Sequence, residues 1–325
     1  MYDVTFSKIG PHRFYLASCG ADASSIVREG PSGDWIGSLG GHLSAITAIR
    51  FNHCDVHALT ASKDHTARLW DTISGAQLLS LPHSSPVHSC AFSHDAYSTF
   101  TTAGGRLFLT DISQQAIVAA SGISALRGAP EAFTQHAAPA MLAVTPDVNL
   151  IITAPFCDYG NGNSGSLAPS NVITFWDVRT LAPVRRVVLA ERVLGVHSEV
   201  DSQAVTVVTR RNIAVLCAAP ESDLAFLPTS CYGRISRSFQ VTVDADRSPL
   251  TCARFQPSTA RLIAAAGECV LGIDPFSGRT LLTHRGHTNT VRAVDLAPAN
   301  AASRFSSASA ADDGLVRLWE WNETN

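Results

Sequence analysis

Two stretches of this 325-residue chain share one spacing of residues. The first carries Gly41-His42, Ala45-Ile46, Phe51, Leu59-Thr60-Ala61-Ser62, Asp64 and Arg68-Leu69-Trp70-Asp71. The second carries Gly286-His287, Val291, Leu296, Ser307-Ala308-Ser309, Asp313 and Arg317-Leu318-Trp319-Glu320. In both, the Asp lies six residues before the Trp and an Arg-Leu pair leads directly into it. A third copy survives only as Thr174-Phe175-Trp176-Asp177. A recurring unit of this length cannot bury its apolar face alone, so it is expected to stack on further copies of itself.

The rest of the chain reads as runs of four to eight β-branched or apolar residues bounded by Gly, Ser, Asp, Asn and Pro, which is a strand pattern. Val87–Phe92, Leu150–Ala154, Val205–Thr209, Ile213–Cys217, Leu250–Phe255 and Leu262–Ala266 are examples. No amphipathic helix is expected, because the Ala-rich stretch from Ala116 to Ala140 is broken by Gly122, Gly128, Pro130 and Pro139. Short strands in a repeating unit predict an all-β propeller. The motif is similar to the Gly-His to Trp-Asp signature of the WD40 repeat, and that resemblance covers essentially the whole chain.

The blade count follows from spacing. His42 and His287 lie 245 residues apart, and if they open blades two and seven, the five intervals average 49 residues. That exceeds a unit of about 40–45 residues. Two Gly/Ser-rich or irregular stretches, 157–170 and 218–238, are taken to supply the excess as loop insertions. Seven blades are expected over a single domain, residues 1–325. Six and eight stay open, because Thr110 stands where the third repeat would hold its Trp and Pro275 follows Asp274 in the sixth. No fourth strand is found for the last blade. The ring is expected either to close through inner-strand packing alone or to leave an outer edge open to a partner's strand.

Chemistry is sparse. His42, Thr60 or Ser62, Asp64 and Trp70 are expected to hydrogen-bond in series, as are His287, Ser307 or Ser309, Asp313 and Trp319. Such a buried relay is favourable only when every member is satisfied, so Ser62 and Ser309 are assigned with the other six as scaffold. Without a paired nucleophile neither set is half a catalytic triad, and no residue is assigned a catalytic or cofactor-binding role. The eight cysteines form no Cys-x-x-Cys pair, and His53-Cys54-Asp55-Val56-His57 lacks tetrahedral-site spacing, so no metal site is assigned. Reduced cysteines acting as small hydrophobes are expected.

A formal net charge of −3 disfavours electrostatic nucleic-acid binding, and no direct sequence-specific contact with nucleic acid is expected. There is no run of 18 apolar residues and no signal sequence, which predicts a soluble intracellular chain without a membrane partner. Only Lys8 and Lys63 are lysines, leaving 22 of 24 basic residues as Arg. Arg185-Arg186 and Arg210-Arg211, with Arg234 and Arg237, are candidates for one basic rim that grips a partner's carboxylates or phosphates.

Finer resemblances point to partners. The run Ser62-Lys63-Asp64-His65 before Arg68-Leu69-Trp70, and the closing Trp319-Glu320-Trp321, resemble the Polycomb-group EED/extra-sex-combs propeller. That resemblance implies a non-catalytic subunit of a histone methyltransferase assembly, with a peptide or histone tail among its protein partners. It favours the nucleus over the cytoplasm. The positions of that family's methyl-lysine cage fall on Met1 or Tyr2, Leu39 and Thr251-Cys252, which cannot form three aromatic walls, so methyl-lysine reading is expected to be lost. Trp176-Asp177-Val178-Arg179 resembles the box with which cullin-4 ligase receptors dock on their adaptor, with Arg179 as the docking residue. Tyr2-Asp3-Val4-Thr5-Phe6-Ser7 is similar to the opening of peroxisomal targeting-signal receptors. A substrate or cargo receptor is therefore the alternative to the scaffold.

Overall fold

Alternation along each apolar run sends successive side chains to opposite faces of a strand, and here both faces are covered. The computed structural model describes residues 1–7, 14–93, 97–114, 116–122, 139–144, 150–155, 171–178, 181, 183–198, 204–217, 235–240, 249–299 and 305–321. These form seven antiparallel sheets, each built in chain order, and no α-helix occurs among them.

The first sheet, or blade, holds β1 (Asp3–Phe6), β2 (Tyr15–Cys19), β3 (Ser24–Glu29) and β4 (Trp35–Gly40). The second holds β5 (Ile46–Phe51), β6 (His57–Ser62), β7 (Thr66–Asp71) and β8 (Gln77–Pro82). The third holds β9 (Val87–Phe92), β10 (Ser98–Ala103), β11 (Arg106–Asp111) and β12 (Ala116–Gly122). The fourth holds β13 (Pro139–Val144), β14 (Leu150–Pro155), β15 (Val172–Asp177) and β16 (Pro183–Val188). The fifth holds β17 (Val193–Ser198), β18 (Ala204–Thr209), β19 (Asn212–Cys217) and β20 (Ile235–Gln240). The sixth holds β21 (Leu250–Gln256), β22 (Arg261–Ala266), β23 (Cys269–Ile273) and β24 (Thr280–Arg285). The seventh has three strands, β25 (Val291–Leu296), β26 (Ser307–Ala311) and β27 (Val316–Trp319).

The fold is a seven-bladed β-propeller. The first strands of the blades neighbour one another in a closed circle, with β25 returning to β1. Between each adjacent pair of blades lies one apolar cluster, seven in all. Second strands feed two clusters at once. Along β22, Leu262, Ala264 and Ala266 pack toward blade five while Ile263 and Ala265 pack toward blade seven. That double burial is why such strands read as unbroken apolar runs in the sequence.

No strand is exchanged across the ends of the ring among the described residues. Closure is made by the cluster of Val4, Phe6, Phe14 and Leu16 with Ala293, Ala297, Ala308 and Ala310. Buried polar contacts reinforce it along the inner strands. Asp295 of β25 accepts a hydrogen bond from the Phe6 N–H of β1 at 2.7 Å and from Arg254 Nε of β21 at 3.2 Å. Asp3 of β1 in turn pairs with Arg50 of β5 and accepts from the Ile49 N–H at 3.2 Å. Charged bonds thus run across blades six, seven, one and two, the region an exchanged strand would otherwise close. The ring thus closes through this packing without a fourth strand in blade seven, and the outer edge of β27 has no neighbour among the described residues.

The length excess is distributed differently from the expectation. Residues 156–170 do fall between β14 and β15, although they lie outside the described residues. The second expected insertion, 218–238, overlaps β20, so the segment between strands ends at 234. The stretch 123–138 between β12 and β13 adds further length that the spacing of the two histidines does not locate.

Candidate functional site

In a blade of four antiparallel strands, the turns joining strands two and three share one end with the links into the next blade. His42 sits in the link from β4 to β5 and Asp64 in the turn from β6 to β7, so both lie on this face of the ring. His42 Nδ1 is 2.8 Å from Asp64 Oδ2, and its Nε2 is 2.7 Å from Thr60 Oγ1. The Trp70 indole N–H donates to that same hydroxyl at 2.9 Å. Each group can be satisfied if a neutral imidazole donates from Nδ1 to the carboxylate and accepts at Nε2 from the Thr60 hydroxyl. Blade seven repeats the set: His287 Nδ1 to Asp313 at 2.8 Å, Nε2 to Ser309 Oγ at 2.7 Å, and Trp319 Nε1 to Ser309 at 2.7 Å.

Ser62 does not hold the place assigned to it. Its hydroxyl donates to the Ser44 carbonyl at 3.0 Å and accepts from the Asp64 N–H at 3.1 Å, while Thr60 fills the relay. Thr60 is two residues earlier, hence on the same strand face, and opposite Arg68 in the register that sets Ala58 against Trp70. Partial relays occur in weaker repeats. Trp176 donates to Thr153 at 2.8 Å in blade four, and His83 meets Thr101 at 3.3 Å in blade three. There Gly105 and Thr110 replace the Asp and Trp, and His83 Nδ1 and Thr110 Oγ1 are buried without partners. His83 is legible in the sequence only as a histidine following a fourth strand, as His42 does.

Burial holds His42 below the ordinary histidine value, with Asp64 opposing. Burial works against ionisation of Asp64. Hydrogen bonds from the Thr66 hydroxyl, the Leu43 N–H and His42 outweigh it and keep the carboxyl below the usual range. His83, His88 and His284 are likewise lowered by burial. A histidine that resists protonation when folded contributes stability above its unfolded pKa, and loses it as pH falls toward the folded value. Thermal unfolding midpoints are therefore expected to decline steadily as pH drops below about 6.5, and more steeply below about 4, where Asp64 and Asp313 take up protons in the unfolded chain but resist them in the folded one. Differential scanning fluorimetry from pH 8 to pH 3 checks this, and a flat profile down to pH 5 would contradict it.

Among the described residues no cluster of three or more metal-ligating side chains is present. Cys252 Sγ lies 3.5 Å from His197 Nε2, but burial pushes this thiol up to about 12, so it is not a thiolate at neutral pH. Cys90 is also pushed up to about 12 by burial, consistent with thiols that pack as hydrophobes. Leu39, Thr251 and Cys252, the cage positions of the Polycomb-group resemblance, are buried and present no wall to a ligand.

Of the candidate rim arginines, Arg186, Arg210 and Arg211 are described with their side chains. Arg210 and Arg211 are exposed in the β18–β19 turn on the relay face. Glu191 stabilises that turn by accepting from Thr209 Oγ1, Asn212 Nδ2 and the Arg211 N–H. Arg185 and Arg186 lie mid-strand on β16, the outer edge of blade four. Arg179, Arg234 and the side chains of Arg185 and Arg237 are outside the described residues.

Among the described residues, three exposed apolar side chains lie on the relay face at the ring closure, Tyr2, Leu43 and Leu315, while Val56, Ile73, Tyr97 and Phe276 lie toward the opposite face. Leu43 is 88% exposed, and its N–H is held by Asp64 at 3.0 Å. Beside Asp64, Lys63 Nζ lies 5.6 Å from the centre of the partly exposed Tyr2 ring, which joins blade two to blade one. Leu315 is exposed in the matching turn of blade seven.

Comparison with known proteins agrees with this architecture. Residues 33–71 and 278–320 match the profile of the WD domain, G-beta repeat, and these two stretches contain the two complete relays. The chain carries WD40 repeats. Over 98% of its length it is 27% identical to the serine-threonine kinase receptor-associated protein of Dictyostelium discoideum, covering 94% of that protein. It is 24% identical over 98% of its length to the protein of the same name from Gallus gallus, covering 79% of it. A stretch of 91 residues, 28% of the chain, is 34% identical to 27% of the eukaryotic translation initiation factor 3 subunit I of Caenorhabditis elegans. The Polycomb-group likeness finds no support among these relatives.

Proposed function

We propose that this chain is a non-catalytic scaffold that offers the relay face of blades seven, one and two to protein partners. The observation that carries the reading is the position of Leu43, Lys63 and Leu315 on turns fixed by the relay carboxylates, with Tyr2 against Lys63. Asp64 holds the Leu43 N–H and Asp313 the Leu315 N–H at 2.9 Å. Apolar groups displayed on a rigid rim suit protein recognition, because little conformational freedom is lost on binding.

The partner class follows from the near-full-length relatives, whose name associates them with a serine-threonine kinase receptor. Subunits of an assembly around such a receptor, at an intracellular site, are the partners proposed. A chromatin setting and a histone-tail partner are not part of this reading, since the near-full-length relatives carry a different name and Leu39, Thr251 and Cys252 are buried. The ligase and peroxisomal alternatives gain no support from the relatives' names.

Affinity purification of the tagged full chain with mass spectrometry tests the reading. Leu43→Glu combined with Lys63→Glu is expected to reduce the recovered partner set at least about tenfold, without lowering the unfolding midpoint. Arg210→Ala with Arg211→Ala is expected to leave it unchanged. The reverse pattern would move the interface to blade five and overturn the proposal.

A further inference from the structure

Blade seven is the one blade among the described residues whose third strand has a neighbour on one side only. The consequences can be measured against blade two, which shares its motif. In blade two, Leu69 is 2% exposed, because Leu79 and Leu81 of β8 complete the cluster beside it, while Trp70 faces the other way, into the cluster shared with blade one. In blade seven Val316, Arg317, Leu318 and Trp319 are all half-buried. Leu318 sits beneath the β3–β4 turn of blade one, where a Cβ on Gly33 would come within 2.7 Å of it. Two residues beyond Gly33, Trp35 is 64% exposed.

The motif arginine carries a second, independent sign. Arg68 donates through Nη1 to Gln77 Oε1, the first residue of β8, at 2.8 Å, and through Nε to Thr66 Oγ1 at 3.3 Å. Its counterpart Arg317 has Leu315 in place of the threonine and, among the described residues, no fourth-strand residue in place of Gln77. Arg317 Nε is buried without a hydrogen-bond partner. Leu315 in place of Thr66 accounts for that unpaired Nε, whereas an acceptor on an incoming strand, at the place of Gln77, would meet the guanidinium through Nη1.

We infer that the outer edge of β27 takes up, as a fourth antiparallel strand, an extended segment of a partner protein whose side chains follow the pattern of β8. That pattern is a Gln or acidic residue to meet Arg317, then apolar residues two and four positions later to cover Leu318 and Val316. It is read from the register of blade two, where Gln77 lies opposite Trp70, Leu79 opposite Leu69, and Leu81 opposite Ala67. Backbone pairing supplies affinity in such strand addition, and alternate side chains supply selectivity. The inference rests on the scaffold reading only in taking the occupant to be a protein, and it uses a different surface from the relay face.

The test uses the full chain and a labelled peptide with the sequence of residues 75–84, which contains β8. Saturable binding by fluorescence anisotropy is expected, with slowed amide exchange at Val316 and Leu318, whose N–H groups face the outer edge as those of Ala67 and Leu69 face β8, and which exchange fast in the unliganded protein. A Gln77→Ala peptide, or the Arg317→Met protein, is expected to bind about tenfold more weakly. A peptide with Leu79→Asp and Leu81→Asp is expected not to bind. Because the peptide variants leave the protein untouched, the test stands even where Arg317→Met fails to fold. Slow exchange at Val316 and Leu318 before peptide is added, in a monomer or in a dimer seen by sedimentation, would overturn the inference. So would protection confined to Thr66–Asp71, or no binding at about 1 mM peptide. Loss of receptor-assembly partners through Leu43→Glu and Lys63→Glu with peptide binding intact would separate the two proposals.

Discussion

Asp295→Ala is expected to lower the stability of the propeller by about 3–5 kcal/mol, because it removes one member of a buried ion pair. The Asp295 side chain is 3% exposed and that of Arg254 8%, so the guanidinium would be left without a counter-charge away from water. Burial already pushes Arg254 below the ordinary arginine value, with the Asp295 carboxylate as the main opposing influence. Its Nη1 is buried without a partner even now. The same substitution strips the acceptor from the Phe6 N–H, and with it a polar bond across the seam between blades seven and one. Asp295→Asn keeps an acceptor and is expected to cost less. Urea denaturation gives the size of the effect. Amide exchange gives its place, with opening expected first in β1 and β25. A loss under about 1 kcal/mol would mean that the apolar cluster at the seam closes the ring unaided.

Trp70→Ala is expected to cost about 3–5 kcal/mol as well, through the cavity left at the contact of blades one and two. Trp70 packs with Leu39, Ile46 and Ile49, and it supplies the N–H that the Thr60 hydroxyl accepts. Trp319→Ala removes the same indole from the same relay. It is expected to cost distinctly less, since Trp319 is only half-buried and part of its contact is a stack with His284 at 4.9 Å. The comparison by urea denaturation isolates burial from hydrogen bonding, because both indoles make one relay bond. Equal losses would show that the hydrogen bond, not the packing, dominates.

Much of the ring is readable from the order of residues alone. Both faces of second strands such as β6 and β22 are buried, so their sequences are held to Ala, Leu, Ile and small polar residues and announce themselves as strands. The spacing of the two complete repeats fits seven blades while leaving six and eight open, and seven are present. Outer strands are harder to read. Gln77–Pro82 and Trp35–Gly40 have half-exposed faces, and a strand whose side chains meet water on one side tolerates Gly, Ser and Pro. The relay is legible as a residue set but not as a path. Thr60 and Ser62 share one strand face, and only the placement of the Trp70 indole and His42 ring selects Thr60.

Local repetition in the chain thus dictates the blade as a unit and the relay residues of the two complete repeats, since these depend on contacts within a unit of about 40 residues. How the circle shuts depends on residues far apart in the chain, Phe6 and Asp295 being separated by 289 positions. Phe6 meeting Asp295, Arg254 beside that same carboxylate, and an unaccompanied β27 carry no periodic signature. A buried charge pair is fixed by where two distant backbones come to lie, and no pattern within either segment records the other.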